Sequence, residues 1–180
     1  MKIEPIYEPY IYSIHYDGQD ECEFYRLQDQ WNDVEYVADF LTLNKELLKN
    51  DVWVKTPEPE SAARKLINDA NDLIHYFDEL NENTAKGLKP DFDSHFHYLD
   101  GEFNYIMEYI PMKSYGLDRP SFLRIYAIKL TDNTYLITGG GIKLADKIQN
   151  SPDIKDHVIQ NIKRVRAYLR ENGILDSDDI

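Results

Sequence analysis

The sequence predicts an α+β fold in which a small antiparallel sheet with a C-terminal β-hairpin packs against N-terminal helices and a C-terminal helix. Three observations predict this class. Apolar residues recur at helical spacing through the first hundred residues, two β-rich runs joined by a short turn occupy residues 122–138, and helical spacing returns over 151–173. With 180 residues, of which 42% are hydrophobic, the chain has enough apolar material for one folded core.

The N-terminal elements are a short strand and a pair of short helices. Residues 11–16 are β-branched and aromatic, and Asp17-Gly18 is a turn signal that ends the strand. Helical spacing then continues to Leu48 and breaks near Asp33, which suits the N-cap of a second helix. This pattern predicts two short helices or one kinked helix. The apolar positions that carry it are Phe24, Leu27, Trp31, Val34, Val37, Phe40 and Leu41.

A long amphipathic helix is predicted to begin at Pro59 and to end before Gly87. Its apolar stripe alternates spacings of three and four residues. Alanine at two of the six positions favours close packing on a sheet over a coiled-coil dimer seam. The stripe consists of Ala63, Leu66, Ala70, Leu73, Phe77 and Leu80.

The C-terminal part is predicted to contain the sheet and the last helix. Residues 103–110 favour a strand or an ordered loop that Pro111 ends, and residues 122–130 and 135–138 form a hairpin around the turn 131–134. Ser151, followed by proline and aspartate, is typical of a helix start, and Gly173 of a helix end. We therefore treat 1–180 as a single domain with a helical, acidic part over 1–100 and a sheet-and-helix part over 101–175.

Several classes of protein are excluded by composition. The single cysteine, Cys22, rules out an internal disulfide and an all-cysteine metal site and is compatible with a reducing cytoplasm. The N-terminus lacks the apolar run of a signal peptide, and no stretch approaches the ~20 apolar residues of a membrane span. We expect a cytoplasmic protein without a membrane partner.

Net charge is the most informative property of the composition. The formal value of -13 predicts repulsion of nucleic acid and of phosphorylated ligands. However, residues 1–100 contain 9 basic against 22 acidic residues, whereas residues 111–170 contain 11 basic against 5 acidic residues. A basic segment with a net charge of +6 therefore lies inside an acidic protein, and an RNA-facing surface is not excluded. We expect the acidic part to shield this segment or to dock against it.

Gly139-Gly140-Gly141, just before Lys143, lacks the spacing of a Walker motif and of a dinucleotide-binding motif, so no nucleotide cofactor is expected. Two interpretations remain open. The glycines form a bulge or a close backbone approach, or they form a turn whose N–H groups hold a phosphodiester together with Lys143, Lys147 and Arg124.

A second pattern suggests metal ligands. In an extended chain, Asp91, Asp93, His95 and His97 would share one face and offer oxygen and imidazole ligands. Because no further ligand accompanies them, we favour a solvated loop or an edge strand, and we predict neither a metal nor any other cofactor.

The hairpin 123–128 and 135–143, together with the closing helix, resembles the C-terminal half of the RelE/ParE superfamily of bacterial toxins in its HigB-like branch. The resemblance implies an antiparallel sheet with packed helices. It also implies, for many members, metal-independent cleavage of mRNA on the ribosome through the 2′-OH, whereas the ParE branch poisons DNA gyrase.

Carried onto this sequence, the resemblance assigns Arg124 and Lys143 to phosphate stabilisation and Tyr126 to proton transfer or base stacking. Arg119, Lys129 and Lys147 would be RNA-contacting charges. A purely structural alternative makes Tyr126 a half-buried strand residue and Arg124 its solvent-facing neighbour.

Two functions follow from these observations. The first is a toxin of a toxin–antitoxin system that acts on mRNA as an endoribonuclease and is neutralised by an antitoxin protein. The second is a non-catalytic protein with the same fold, whose acidic part binds a basic protein.

Overall fold

The computed structural model describes residues 1–49, 56, 58–99, 108–131 and 133–180. Its centre is a six-stranded sheet in the order β1-β2-β6-β5-β4-β3. The strands are β1 (Lys2–Tyr7), β2 (Ile11–His15), β3 (His97–Tyr98), β4 (Ile110–Tyr115), β5 (Leu123–Thr131) and β6 (Thr134–Ile142). The helices are α1 (Glu23–Asn32), α2 (Val34–Leu43), α3 (Lys45–Lys49), α4 (Pro59–Ala85) and α5 (Val158–Glu171), with 3-10 turns at Ile148–Asn150 and Ser177–Asp179.

The sheet is antiparallel except where β2 runs parallel to β6 and pairs with Tyr135 through Ile137. This arrangement confirms the predicted α+β class. The edge strand β1, which pairs with β2, has no counterpart among the predicted elements. Pro5 lies within β1, and proline is tolerated at a sheet edge because the outer N–H groups have no ladder partner there.

Helices cover both faces of the sheet. On one face, α1, α2 and α4 pack in a core that joins residues as distant as Tyr7 and Leu144, so the acidic and the basic parts of the chain share it. On the other face, α5 presents the predicted apolar stripe. Its buried side chains are Val158, Ile162, Val165 and Leu169. Among the described residues, no helix combines the length and apolarity that a bilayer crossing requires.

The break predicted near Asp33 and the predicted bounds of α4 are confirmed, whereas the second helix does not continue to Leu48: α2 ends at Leu43, and α3 is a separate short helix. Asp33 caps α2, since its carboxylate accepts the N–H of Tyr36 at 2.9 Å. The stripe of α4 is packed inside the molecule: five of its members are buried core residues, and Leu80 is partly buried against them.

Pro111 does not end a strand, contrary to the sequence expectation. It lies inside β4, where it pairs with Ile128 of β5, and its carbonyl accepts the N–H of Leu99. Among the described residues, the outer side of β4 pairs with the two-residue strand β3 and with the Leu99 N–H, which bonds to the Pro111 carbonyl and needs no N–H from Pro111. The predicted segment 103–107 lies outside the described residues.

The predicted start of the last helix was also wrong. α5 begins at Val158, not at Ser151. The Ser151 hydroxyl accepts the N–H of Ala145 at 3.0 Å, and the Asp153 carboxylate accepts the N–H of Ile142 at 2.6 Å. Both side chains therefore bind preceding chain segments, and residues 152–157 form turns. Gly173, at φ 67°, ends the helix as predicted.

Candidate functional site

The sheet register places three side-chain positions in a row on β4, β5 and β6. Tyr115 pairs with Arg124, and Arg124 pairs with Gly141. Directly opposed residues of neighbouring strands point to the same face, so all three face the side of the sheet on which α5 packs. The next row on this face contains His97, Lys113, Tyr126 and Gly139.

Two guanidinium groups converge on one aromatic ring in the first row. The Cζ atoms of Arg119 and Arg124 lie 4.3 and 4.2 Å from the ring centre of Tyr115, within cation–π range. The His97 ring lies 5.7 Å from the same ring, and its Nε2 accepts a hydrogen bond from the Arg119 guanidinium. We call His97, Lys113, Tyr115, Arg119 and Arg124 the Tyr115 cluster.

Arg124 is held in place by its own strand. Its side chain is buried, and Nη1 donates to the carbonyl oxygens of Ser121 at 2.8 Å and Leu123 at 2.5 Å. Arg119, in the exposed loop between β4 and β5, provides the solvent-facing charge. The cluster thus combines a buried, oriented cation with an exposed cation, an arrangement that suits recognition of an oxyanion.

Burial and the cations of this cluster both lower the pKa values of two histidines. The pKa of His97 is lowered, first by burial and then by the charges of Arg119 and Lys113. Burial is also the main reason why the pKa of His95 falls to about 4, and both His97 and Arg119 lower it further. At pH 7 His97 is therefore neutral and serves as the acceptor for Arg119.

Tyr126 lies beneath the segment that leads into α5. Its side chain is 1% exposed and packs with Leu99, Ile154 and Val158. Burial raises the pKa of its hydroxyl. The predicted proton-transfer or stacking role is therefore not favoured by this position, because the side chain does not reach solvent.

Lys143 and Lys147 follow β6. The Lys143 N–H donates to the Phe122 carbonyl at 2.7 Å, which places its backbone beside the start of β5, and Nζ donates to the Asp146 carbonyl at 2.6 Å. Lys147 is exposed. Lys143 is thus near the strand that carries Arg124, on the end of the sheet where the cluster lies.

Lys129 lies away from the other predicted cations. Its ammonium pairs with the Asp93 carboxylate at 3.1 Å. Lys129 follows Arg124 by five residues along β5, which separates the two Cα atoms by about 16 Å at the usual strand rise. Because successive side chains of a strand alternate between its faces, an odd separation places Lys129 on the opposite face of the sheet. The structure therefore does not bring Lys129 to the cluster.

The glycine triplet does not form a phosphate-holding turn. Gly139, Gly140 and Gly141 are buried inside β6 and pair with β5. A Cβ on Gly140 would collide with the Arg124 carbonyl and lie 2.8 Å from Leu27 Cδ1 of α1. The alternative interpretation, a close backbone approach next to a bulge, is confirmed by this packing and by the register shift at Tyr126.

The four residues considered as metal ligands do not converge. Residues 93–95 form a turn, so the extended chain that would align the side chains does not exist. The Asp91 carboxylate accepts the N–H of Ser94, Asp93 pairs with Lys129, and His97 contacts Arg119. Within the part of the chain that the structure describes, no group of three or more metal-ligating side chains is present.

Across the described residues, the contacts between the acidic and basic parts of the sequence include an ion pair and hydrogen bonds to one carboxylate. The ion pair is that of Asp93 with Lys129. The hydrogen bonds are those of Gln30 and Tyr36 to Asp153. Here the carboxylate comes from the basic segment, whereas the expected contact joins acidic side chains of residues 1–100 to basic side chains of that segment. The shared core is the larger contact.

Sequence reasoning missed Lys113 and Tyr115, and considered His97 only as a metal ligand. The alternation of Lys113 and Tyr115 with the buried Met112 and Ser114 was the available signal, but ending the strand at Pro111 hid it.

Comparison with known proteins adds nothing to this geometry: no family model, no curated protein and no solved structure matches the chain.

Proposed function

We propose that this protein binds RNA at the Tyr115 cluster, as a toxin-like protein of a toxin–antitoxin system. The convergence of Arg119 and Arg124 on one ring, beside the His97 imidazole that Arg119 contacts, carries the proposal. A phosphodiester is the abundant oxyanion that suits the exposed Arg119 guanidinium above the buried Arg124, and the partly exposed Tyr115 ring beside them suits an unpaired base.

The acidity of the whole protein is compatible with this site. At physiological ionic strength charges are screened over about 8 Å, so a phosphate in contact with the cluster is attracted by its cations while most distant carboxylates are screened. The net charge of -13 lowers the rate of encounter more than it weakens the contact itself. Binding is therefore expected to be local and strongly dependent on salt.

The toxin-like function adds cleavage of mRNA on the ribosome and neutralisation by an antitoxin. The exposed Arg119, with Lys143 nearby, would stabilise the charged phosphorane, and the buried Arg124 beneath them would add its positive potential. His97 is a partly exposed imidazole of the cluster, and burial together with the charges of Arg119 and Lys113 lowers its pKa. Its acceptor nitrogen, Nε2, holds the Arg119 guanidinium and would become free for proton transfer when Arg119 turns from it to the phosphate. The 2′-oxygen would give its proton to this acceptor and bond to phosphorus while the bond from phosphorus to the 5′-oxygen breaks, and the leaving 5′-oxygen would take a proton back from the imidazolium or from water. No metal ion is required for this step.

Fluorescence anisotropy with a labelled single-stranded RNA tests the binding step. Replacing Lys113 and Arg119 together by Gln should weaken binding at least tenfold and reduce the dependence of log K on log salt by about 0.7 per lost phosphate contact. The matched control replaces Lys86 and Lys89, two exposed lysines at the far end of α4, by Gln and should leave the affinity unchanged. Equal affinities for the two double variants would refute the site.

Growth of cells that express the protein tests the toxin-like activity. Arrest that disappears in the Lys113→Gln, Arg119→Gln variant and on coexpression of the neighbouring gene supports the proposal. Normal growth together with intact RNA binding contradicts cleavage while leaving the binding site in place.

A second candidate is a non-catalytic protein of this fold whose acidic part binds a basic protein. The burial of Arg124 and Tyr126, at 7% and 1% exposure, favours it, because two of the three predicted catalytic side chains do not reach solvent. Normal growth, no RNA binding and a co-purifying basic protein would support this candidate over the first.

A further inference from the structure

α4 carries a carboxylate on its buried side. Asp69 is 4% exposed and lies between Leu66 and Ala70, in the stripe that otherwise packs in the apolar core. Its Oδ1 pairs with Lys65 Nζ at 3.0 Å, whereas Oδ2 has no hydrogen-bond partner among the described residues. Burying a charge this way costs stability, so its position calls for a reason other than stability.

Asp69 faces the two ends of the loop between β4 and β5. Gly116 and Ser121, which begin and end this loop, are both buried, while residues 117–120 between them are exposed. A Cβ on Gly116 would lie 3.4 Å from the Asp69 Cβ and would collide with the Ser121 side chain. The two ends of the loop therefore meet against Asp69, and the loop between them carries Arg119.

Ser121 connects this contact to the second guanidinium. Its carbonyl accepts Arg124 Nη1 at 2.8 Å, and its hydroxyl accepts the N–H of Leu123 at 3.2 Å. A displacement of Ser121 therefore moves both the loop that holds Arg119 and the acceptor that orients Arg124.

We propose that Asp69 is a positioning residue for the RNA site: by holding Ser121 and the ends of the β4–β5 loop, it brings Arg119 and Arg124 together on Tyr115. This inference rests on the proposed function. Asp69 itself does not touch RNA and acts through Ser121.

The raised pKa of Asp69 shows that its burial disfavours the charged carboxylate, which agrees with a role in positioning and not in stability. Burial, the largest effect, raises the pKa of Asp69, while Lys65 and the nearby Ser121 hydroxyl favour its charged form. An aspartate with a raised pKa binds protons more tightly in the folded than in the unfolded protein. Its ionisation therefore destabilises the fold as pH rises above its ordinary value near 3.8.

RNA affinity of Asp69→Asn, measured by anisotropy, tests the inference. The control is Asp72→Asn, an exposed position on the same helix that changes the net charge equally. Electrostatics alone predicts that removal of a carboxylate near an RNA site strengthens binding. A loss of RNA affinity in Asp69→Asn therefore indicates a positioning role and not a charge effect. We expect Asp69→Asn to bind about three- to tenfold more weakly than wild type, because a neutral amide attracts the Ser121 hydroxyl less strongly than a carboxylate does. We expect Asp72→Asn to bind equally or more tightly. Equal or tighter binding by Asp69→Asn overturns the inference.

A double-mutant cycle tests the route through Ser121. If Asp69 acts through this residue, Ser121→Ala weakens RNA binding and the double variant is no weaker than either single variant. Additive losses would contradict the route. Thermal unfolding at pH 7 separates positioning from general stability, because Asp69→Asn should keep or raise the melting temperature while RNA affinity falls.

A measurement without RNA keeps the inference testable even if the protein proves not to bind RNA. Amide hydrogen exchange of residues 116–124 should accelerate in Asp69→Asn and stay unchanged in Asp72→Asn. Unchanged exchange in both variants would overturn the positioning role. Accelerated exchange with no RNA binding by the wild type would uphold the positioning role and refute the proposed function alone.

Discussion

The Asp153 carboxylate lies against the backbone of Gly141, in the space that a side chain at this position would fill. Its Oδ2 accepts the N–H of Ile142 at 2.6 Å, and Gln30 of α1 and Tyr36 of α2 donate to its oxygens at 3.1 and 3.0 Å. A single carboxylate thus ties β6 and two helices to the segment that leads into α5.

Asp153→Ala should lower the free energy of unfolding by about 2 kcal/mol, because it leaves three donors without their acceptor. Asp156→Ala is the control, since Asp156 is exposed three residues later. Urea unfolding followed by circular dichroism measures the difference. A loss below about 0.5 kcal/mol would mean that the three donors find other acceptors.

Gly140→Ala should destabilise the protein by about 2 kcal/mol through overpacking, because α1 and the β5 backbone close on this position. Gly18 provides a contrast: a Cβ there meets nothing within 4 Å, and only its φ of +84° opposes alanine. Gly18→Ala is therefore expected to cost about 1 kcal/mol. Chemical denaturation of both variants compares steric crowding with backbone strain, and a smaller effect at Gly140 would show that α1 can shift.

Arg119→Gln should raise the pKa of His97, since the Arg119 charge is one of the causes that lower it. The rise should be partial, because burial is the larger cause and remains. NMR titration of the imidazole protons gives the value directly. Arg164→Gln removes a charge that lies over the ring of Tyr16, the residue after β2, and should leave the His97 pKa unchanged. A His97 pKa shift of equal size in both variants would contradict a local interaction.

Tyr115→Leu should weaken RNA binding and loosen both arginines, because the ring contributes about 0.5–1 kcal/mol for each guanidinium that it faces. Tyr115→Phe keeps the ring and should bind RNA almost as the wild type does. Anisotropy at a fixed salt concentration measures both variants. Equal losses for Leu and Phe would assign the effect to the hydroxyl and not to the ring.

Local patterns in the sequence determined the element types, and long-range packing decided their ends. The spacing of α4 and the Asp33 cap were readable because each depends on residues within a few turns. The start of α5 was not, because Ser151 and Asp153 have the residue types of a helix start but bind Ala145 and Ile142 instead. Both partners are the end of β6 and the segment after it, so the position of β6 in the fold explains why Ser151 and Asp153 do not begin a helix.

The candidate site was predicted in part. The basic segment and Arg124 were visible in the sequence, and Arg119 was named as a supporting charge. Tyr115 and Lys113 could not be joined to them, because the pairing of β4 with β5 depends on a register that no local pattern specifies.

By itself, then, the sequence determined the α+β class, the helical stripes and the split between an acidic and a basic part, since composition and periodicity record these directly. The tertiary structure alone decided which cations converge. It brought Arg119 and Arg124 to one ring, turned Lys129 to the opposite face, and buried Tyr126, because strand register and the faces of a sheet follow from the packing of the whole chain.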